Sequence, residues 1–171
     1  MPLLQTLLLL ILHYTVSVYT FTLPALSGGE INLANYQGKK ILLVNTASQC
    51  QYANQYAELQ QLQQLYTDSL VVIAVPSNNF NNMEPGSNED IALFVQQYNI
   101  TFPITQKQDV LGDSAHPLYQ WLAHRHEEGS IDALPRWNFT KILIGKTGQI
   151  EKVFDPAVSP LAQRVKDTVE Q

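Results

Sequence analysis

The sequence predicts an α/β protein: a central mixed sheet flanked by helices, with a β-hairpin at its start. Three observations carry that prediction. Ile41-Leu42-Leu43-Val44 and Leu70-Val71-Val72-Ile73-Ala74-Val75 are unbroken apolar runs, the pattern of parallel strands covered on both faces. Between them Tyr52, Tyr56, Leu59, Leu62 and Tyr66 recur at helical spacing, which makes a strand–helix–strand crossover. Near the end, Phe139 to Ile144 and Gln149 to Phe154 flank Gly145-Lys146-Thr147-Gly148. That turn is too short for a crossover, so this pair is an antiparallel hairpin.

Composition bounds the function. The chain has 171 residues, 45% hydrophobic and 15% charged, which suits one globular domain with a full core. A net charge of −5 argues against a nucleic-acid partner, which needs a basic face. Cys50 is the only cysteine, so neither an internal disulfide nor an all-cysteine zinc site can form. His13, His116, His124 and His126 show no metal-ligand spacing, and no metal is expected.

The elements follow in order. Leu3, Leu4 and Leu7 to Leu12 form an apolar run that is shorter than the ~20 residues of a membrane span. With Thr15 and Ser17 placed for a cut after Ser17, residues 1–17 read as a signal peptide and residues 18–171 as a single domain. No Lys or Arg precedes Lys39, so an uncleaved apolar extension or surface anchor stands as the alternative. Export would make the protein secreted or periplasmic, in an oxidising compartment where a lone free thiol stands out.

Thr20-Phe21-Thr22-Leu23 and the alternating Ile31 and Leu33 flank Pro24 and Gly28-Gly29 as a small hairpin. The helix after Cys50 carries Gln55, Gln60, Gln61, Gln63 and Gln64 opposite its apolar stripe, and these read as a solvated face. The second long strand ends in Pro76-Ser77-Asn78-Asn79-Phe80-Asn81-Asn82, where Asn81 and Asn82 read as turn formers. Ser87 and Asp90 form a capping box before Ile91, Phe94, Val95 and Tyr98. Residues 101–112 read as irregular. A short helix follows, with Leu118, Trp121 and Leu122 inward and His124 to Glu128 outward. Ser159 caps, and Pro160 starts, a last helix with Leu161, Ala162, Val165 and Val169 as its stripe.

The order is hairpin, βαβ, helix, ββα, the thioredoxin-like architecture. If the strand from Phe139 runs antiparallel to the two parallel strands, it begins on the edge where they end. Cys50, Asn78-Asn79 and Trp137-Asn138 then meet on the edge where open α/β sheets hold ligands. Each has a plain structural reading: a buried small hydrophobe, turn formers, a core aromatic, a cap. Together they make a site, with a thiol ahead of a helix N-terminus and an indole and amides as neutral donors.

These residues resemble the glutathione peroxidase family, from about Val18 to Pro160. Val44-Asn45-Thr46-Ala47-Ser48-Gln49-Cys50 is similar to the family's peroxidatic loop. Pro76-Ser77-Asn78-Asn79-Phe80 with Glu84-Pro85-Gly86-Ser87 resembles its second signature, and Trp137-Asn138-Phe139-Thr140-Lys141 its third. Thr101-Phe102-Pro103, Lys107-Gln108-Asp109-Val110 and His116-Pro117-Leu118-Tyr119 also fit.

The resemblance implies a thioredoxin-like fold and a catalytic set of Cys50, Asn79, Trp137 and Asn138, with Cys50 in the place of the selenocysteine some members use. It implies peroxide reduction through a Cys50 sulfenic acid, with glutathione or another external thiol as co-substrate and no bound cofactor. Departures are present. Asn79 stands where Gln is usual, Gln49 and Gln51 where Lys and Gly are common, and no second Cys can resolve the sulfenic acid. The short stretch from Glu127 to Arg136 resembles the monomeric, phospholipid-hydroperoxide type. The alternative function is a catalytically impaired thioredoxin-fold binding module. A third reading, a structural secreted domain, has an inert buried thiol.

Overall fold

The computed structural model describes residues 16–127 and 131–171. Most of the expected leader lies outside the described residues. Ser17 caps a 3-10 turn at Val18–Thr20. The expected hairpin is present with shifted bounds: β1 (Thr22–Pro24) pairs antiparallel with β2 (Glu30–Asn32), placing Leu23 opposite Ile31 and keeping Pro24 in the strand, while Thr20 and Leu33 fall in 3-10 turns. Gly28 and Gly29 both take positive φ in its turn, which a side chain would strain. A second 3-10 turn, Leu33–Tyr36, leads to the central strand.

β3 (Lys40–Thr46) and β4 (Leu70–Pro76) are buried along their whole length and pair in parallel, from Lys40 opposite Leu70 to Thr46 opposite Pro76. β5 (Lys141–Ile144) lies antiparallel on the other side of β3, with Val44 opposite Lys141, and β6 (Ile150–Phe154) completes the order β4-β3-β5-β6. The beginning of β5 therefore lies at the ends of β3 and β4, as the antiparallel reading required. Alternate strand residues feed two apolar layers. Leu42, Val44, Val72 and Leu143 face the layer holding Tyr56, Leu59 and Leu62, and Ile41, Leu43, Ile73 and Ile144 face Leu118, Tyr119 and Leu122. Each fully buried aliphatic side chain contributes about 1.5–3 kcal/mol of transfer free energy.

α1 (Gln55–Leu65) follows β3 and α2 (Asn88–Gln96) follows β4. The Ser87–Asp90 capping box is present with both of its hydrogen bonds. Asn81 and Asn82 adopt φ of 54° and 52°, the left-handed turn conformation asparagine tolerates. α3 (Pro117–Glu127) buries Leu118 and Leu122 and leaves Trp121 half-buried; the side chains of 126–128 lie outside the described residues.

Three local expectations need correction. Gln55, Gln60 and Gln63 are buried and only Gln61 and Gln64 face solvent. Each buried glutamine finds partners from other segments. Gln63 accepts from Val72 N and donates to the Leu70 carbonyl, while Gln60 bonds Thr101 and Gln55 donates to the Pro156 carbonyl. Helical periodicity shows where a side chain points but not whether a partner waits there. Second, α1 begins only at Gln55, because residues 47–54 close as successive turns. Cys50 lies on that run of turns and not in the helix's first turn. Third, α4 (Gln163–Glu170) starts at Gln163. Ser159 instead caps the preceding turn, accepting from Leu161 N, and its hydroxyl donates to Glu58.

Candidate functional site

β3 ends in Asn45 and Thr46 and delivers Cys50 on the turns that follow. The Cys50 N–H donates to the Ala47 carbonyl at 3.4 Å, and its own carbonyl accepts from Ala53 N at 2.9 Å. The thiol is free and 5% exposed, in the apolar layer that also holds Ala47, Ala53, Tyr56 and Phe139. Among the described residues no hydrogen bond reaches Cys50 Sγ.

The loop after β4 is tied to the Cys50 turns by hydrogen bonds. Gln49 N donates to the Met83 carbonyl at 3.0 Å. Ser48 donates to Glu84 twice, from its N–H at 2.8 Å and its hydroxyl at 2.6 Å. The Glu84 backbone N–H is in turn held by Asn78 Oδ1 at 2.9 Å, and the Lys107 ammonium reaches the carbonyls of Glu84 and Gly86. Burial pushes the Glu84 carboxyl above its ordinary value, while the Ser48 donors and Lys107 draw it back. Beside this clamp lies a cleft of about 510 Å³ lined by Ser48, Gln49, Glu84, Gly86, Asp90 and Phe94.

The turn before β5 closes the third side. Phe139 N donates to the Asn45 carbonyl at 2.6 Å, and Asn45 Nδ2 donates to the Trp137 carbonyl at 3.0 Å. Asn138 is fully buried; its Nδ2 points at the Phe80 carbonyl (3.4 Å) and Met83 Sδ (3.5 Å), and its Oδ1 has no partner. Burial leaves no room for a glycan on the Asn138-Phe139-Thr140 sequon in the folded chain. Trp137 is half-buried, its ring 5.8 Å from that of Phe80, and its indole N–H makes no hydrogen bond among the described residues.

The structure thus gathers Cys50, Trp137 and Asn138 on one sheet edge through their backbones. Asn79 lies on the same edge but is occupied elsewhere. Its Oδ1 accepts from Val110 N at 2.6 Å and Ser77 Oγ at 2.9 Å, and its Nδ2 donates to Asp109 at 3.3 Å. Sequence reasoning passed over Glu84 and Asn45. Glu84 sits inside a turn-like Glu-Pro-Gly run and Asn45 inside an apolar strand, and neither position announces a tertiary partner. Among the described residues no group of three or more His, Cys, Asp or Glu gathers as for a metal ion, and no helix is long and apolar enough to cross a membrane.

This arrangement can be compared with known proteins. The family model for glutathione peroxidase matches residues 18–123. A glutathione peroxidase homolog, BsaA, of Halalkalibacterium halodurans is 39% identical over 158 residues, covering 91% of this chain and 99% of that protein. The chain belongs to the glutathione peroxidase family. Another relative, from Arabidopsis thaliana and named for phospholipid hydroperoxide glutathione peroxidase, is 40% identical over 151 residues, covering 85% of this chain and 64% of that protein. The crystal structure of Trgpx in apo form superposes with a TM-score of 0.68 at 32% identity, covering 92% of this chain and 97% of that chain. The thioredoxin-like fold is thereby shown together with the family. Within a glutathione peroxidase frame, the Cys50 turns, the Asn78–Ser87 loop and the Trp137–Lys141 turn are the three segments that this structure ties together.

Proposed function

We propose that this glutathione peroxidase family member reduces hydrogen peroxide or organic and lipid hydroperoxides through Cys50, with glutathione or another external thiol as reductant. The observation that carries this reading is the position of the chain's sole thiol, on the sheet edge where the Trp137–Asn138 turn and the Glu84 clamp converge.

The Cys50 thiolate attacks one peroxide oxygen. A sulfur–oxygen bond forms, the oxygen–oxygen bond breaks, and the other oxygen leaves as water or alcohol after taking a proton. Sulfur is oxidised by two electrons to a sulfenic acid. An external thiol bonds to that sulfur and releases the hydroxyl as water. A second thiol attacks the mixed disulfide, restoring Cys50 and leaving with its disulfide. The Trp137 indole and the Asn138 amide supply neutral donors for the charge on sulfur and the departing oxygen. The Asn79 amide contributes by fixing the loop against Asp109 and Val110.

The reading extends to a monomer, supported by the short connection before Arg136, and to an exported protein, supported by the apolar run ahead of Ser17. A cut after Ser17 would remove the Val16 carbonyl that accepts from Trp121 Nε1 at 3.0 Å. Intact mass of the exported protein tests the cut: a start at Val18 is expected, and retained Met1 contradicts it.

Peroxide consumption with glutathione, compared between the parent and Cys50→Ser, tests the activity. Turnover by the parent and its loss in the variant are expected. A serine variant running near the parent rate refutes the thiol mechanism, and a folded parent with no turnover favours the impaired binding module.

A further inference from the structure

Asn45 stands at the end of β3, five positions before Cys50, and is almost wholly buried. From there it grips the turn ahead of β5 at two points. Its Nδ2 donates to the Trp137 carbonyl at 3.0 Å, and its carbonyl accepts from Phe139 N at 2.6 Å. Asn138 lies between these two grips. The turn would not hold this shape unaided, because Phe139 carries a φ of 66°, a left-handed conformation that a bulky side chain resists.

The Asn138 side chain is itself weakly anchored. Its two donor contacts are 3.4 and 3.5 Å long and its oxygen is unpartnered. An amide with so few ties of its own is aimed by whatever fixes its backbone. The same strand that fixes it also carries Cys50.

We propose that Asn45 is a positioning residue for peroxide reduction: its side-chain hydrogen bond to the Trp137 carbonyl, added to the main-chain bond from Phe139 N that any residue there would accept, holds the Asn138 amide and the Trp137 indole in register with the Cys50 thiol. This rests on the reading of Cys50 as the peroxide-reducing residue. The competing view is that Asn45 only completes the core at the end of β3. In that case its loss would disturb all Cys50 chemistry alike.

The test compares the parent with Asn45→Asp and Asn45→Ser in two reactions. One is sulfenic acid formation with hydrogen peroxide, followed by stopped flow. The other is alkylation of the same thiol by iodoacetamide, which needs the thiolate but no donor on a leaving oxygen. Circular dichroism at the assay temperature verifies folding, and the serine variant, which adds no charge, serves if the aspartate variant unfolds. Both variants are expected to lose tenfold or more in the peroxide reaction and less than threefold in alkylation. The carboxyl introduced by Asn45→Asp regains a donor when protonated. The peroxide rate of Asn45→Asp relative to the parent should therefore recover as pH falls towards 5, and that of Asn45→Ser should not. Equal losses in both reactions, or an unchanged peroxide rate, overturn the assignment. A parent that alkylates but forms no sulfenic acid instead overturns the peroxidase reading beneath it.

Discussion

Ser48 gives both of its donors to one carboxylate, that of Glu84, with its N–H at 2.8 Å and its hydroxyl at 2.6 Å. The relationship matters because Ser48 lies two positions before Cys50, on turns that have no regular secondary structure to hold them. Glu84 does for this loop what a cap does for a helix.

Glu84→Gln should therefore destabilise the protein by about 1–3 kcal/mol, because the amide has one oxygen for the two Ser48 donors and turns an NH2 group towards the other. The pH dependence has a definite sign. Burial raises the Glu84 carboxyl above 4.5, so the folded chain holds this proton at higher pH than the unfolded chain does. The group's contribution to stability falls as pH rises from 4.5 through its folded value. Urea unfolding should show a larger gap between parent and variant at pH 4 than at pH 7, and the reverse order would contradict the clamp's electrostatics.

Lys141 gives a prediction at the other end of the pH scale. Its side chain is fully buried and its ammonium donates to the carbonyls of Phe139 (2.8 Å) and Pro156 (3.0 Å). Burial depresses it to about 7, against the opposing pull of Glu58 and Asp155. Between pH 7 and about 10 the unfolded chain then binds the extra proton, and stability rises with pH on this group's account. Lys141→Met should cost about 1–3 kcal/mol near neutrality through its lost donors. Its deficit should widen by about 1 kcal/mol or more by pH 10. A deficit that stays constant from pH 7 to pH 10 would show that the buried amine is charged across this range.

The glutamines of α1 separate exposed from buried positions of one residue type. Gln63 bridges the Leu70 carbonyl and the Val72 N–H, at 3.0 and 2.8 Å, where β4 begins. Gln63→Leu should cost about 2–4 kcal/mol by orphaning both groups, whereas exposed Gln64→Leu should stay within about 0.5 kcal/mol. Chemical-denaturation midpoints of the two variants decide the matter, and equal midpoints would mean that the bridge carries no net energy.

Much of this architecture is legible in the chain. The two apolar runs show buried parallel strands, the tight Gly145–Gly148 turn shows the reversal into β6, and the Ser87–Asp90 spacing shows a helix start. The convergence at the site follows from those three readings, because the direction of β5 fixes where Trp137 and Asn138 must lie. The buried glutamines were hidden because residue type signals solvent while partners come from distant segments. Glu84 and Asn45 were hidden for the same reason. Their roles depend on Ser48, 36 positions away, and on Trp137, 92 positions away. The delayed start of α1 depends on local turns that carry no strong cap, since Asn54 makes no side-chain capping bond.

The central claim is that Cys50 takes the peroxide oxygen and waits for a thiol from outside, since the chain has no second cysteine to resolve it. Peptide mass spectrometry after treatment with peroxide, with and without glutathione, tests this most directly. With glutathione the Cys50 peptide should carry a mixed disulfide that excess thiol removes. Without it, excess peroxide should add two oxygens as the sulfinic acid. A Cys50 that stays reduced under both conditions would contradict the account.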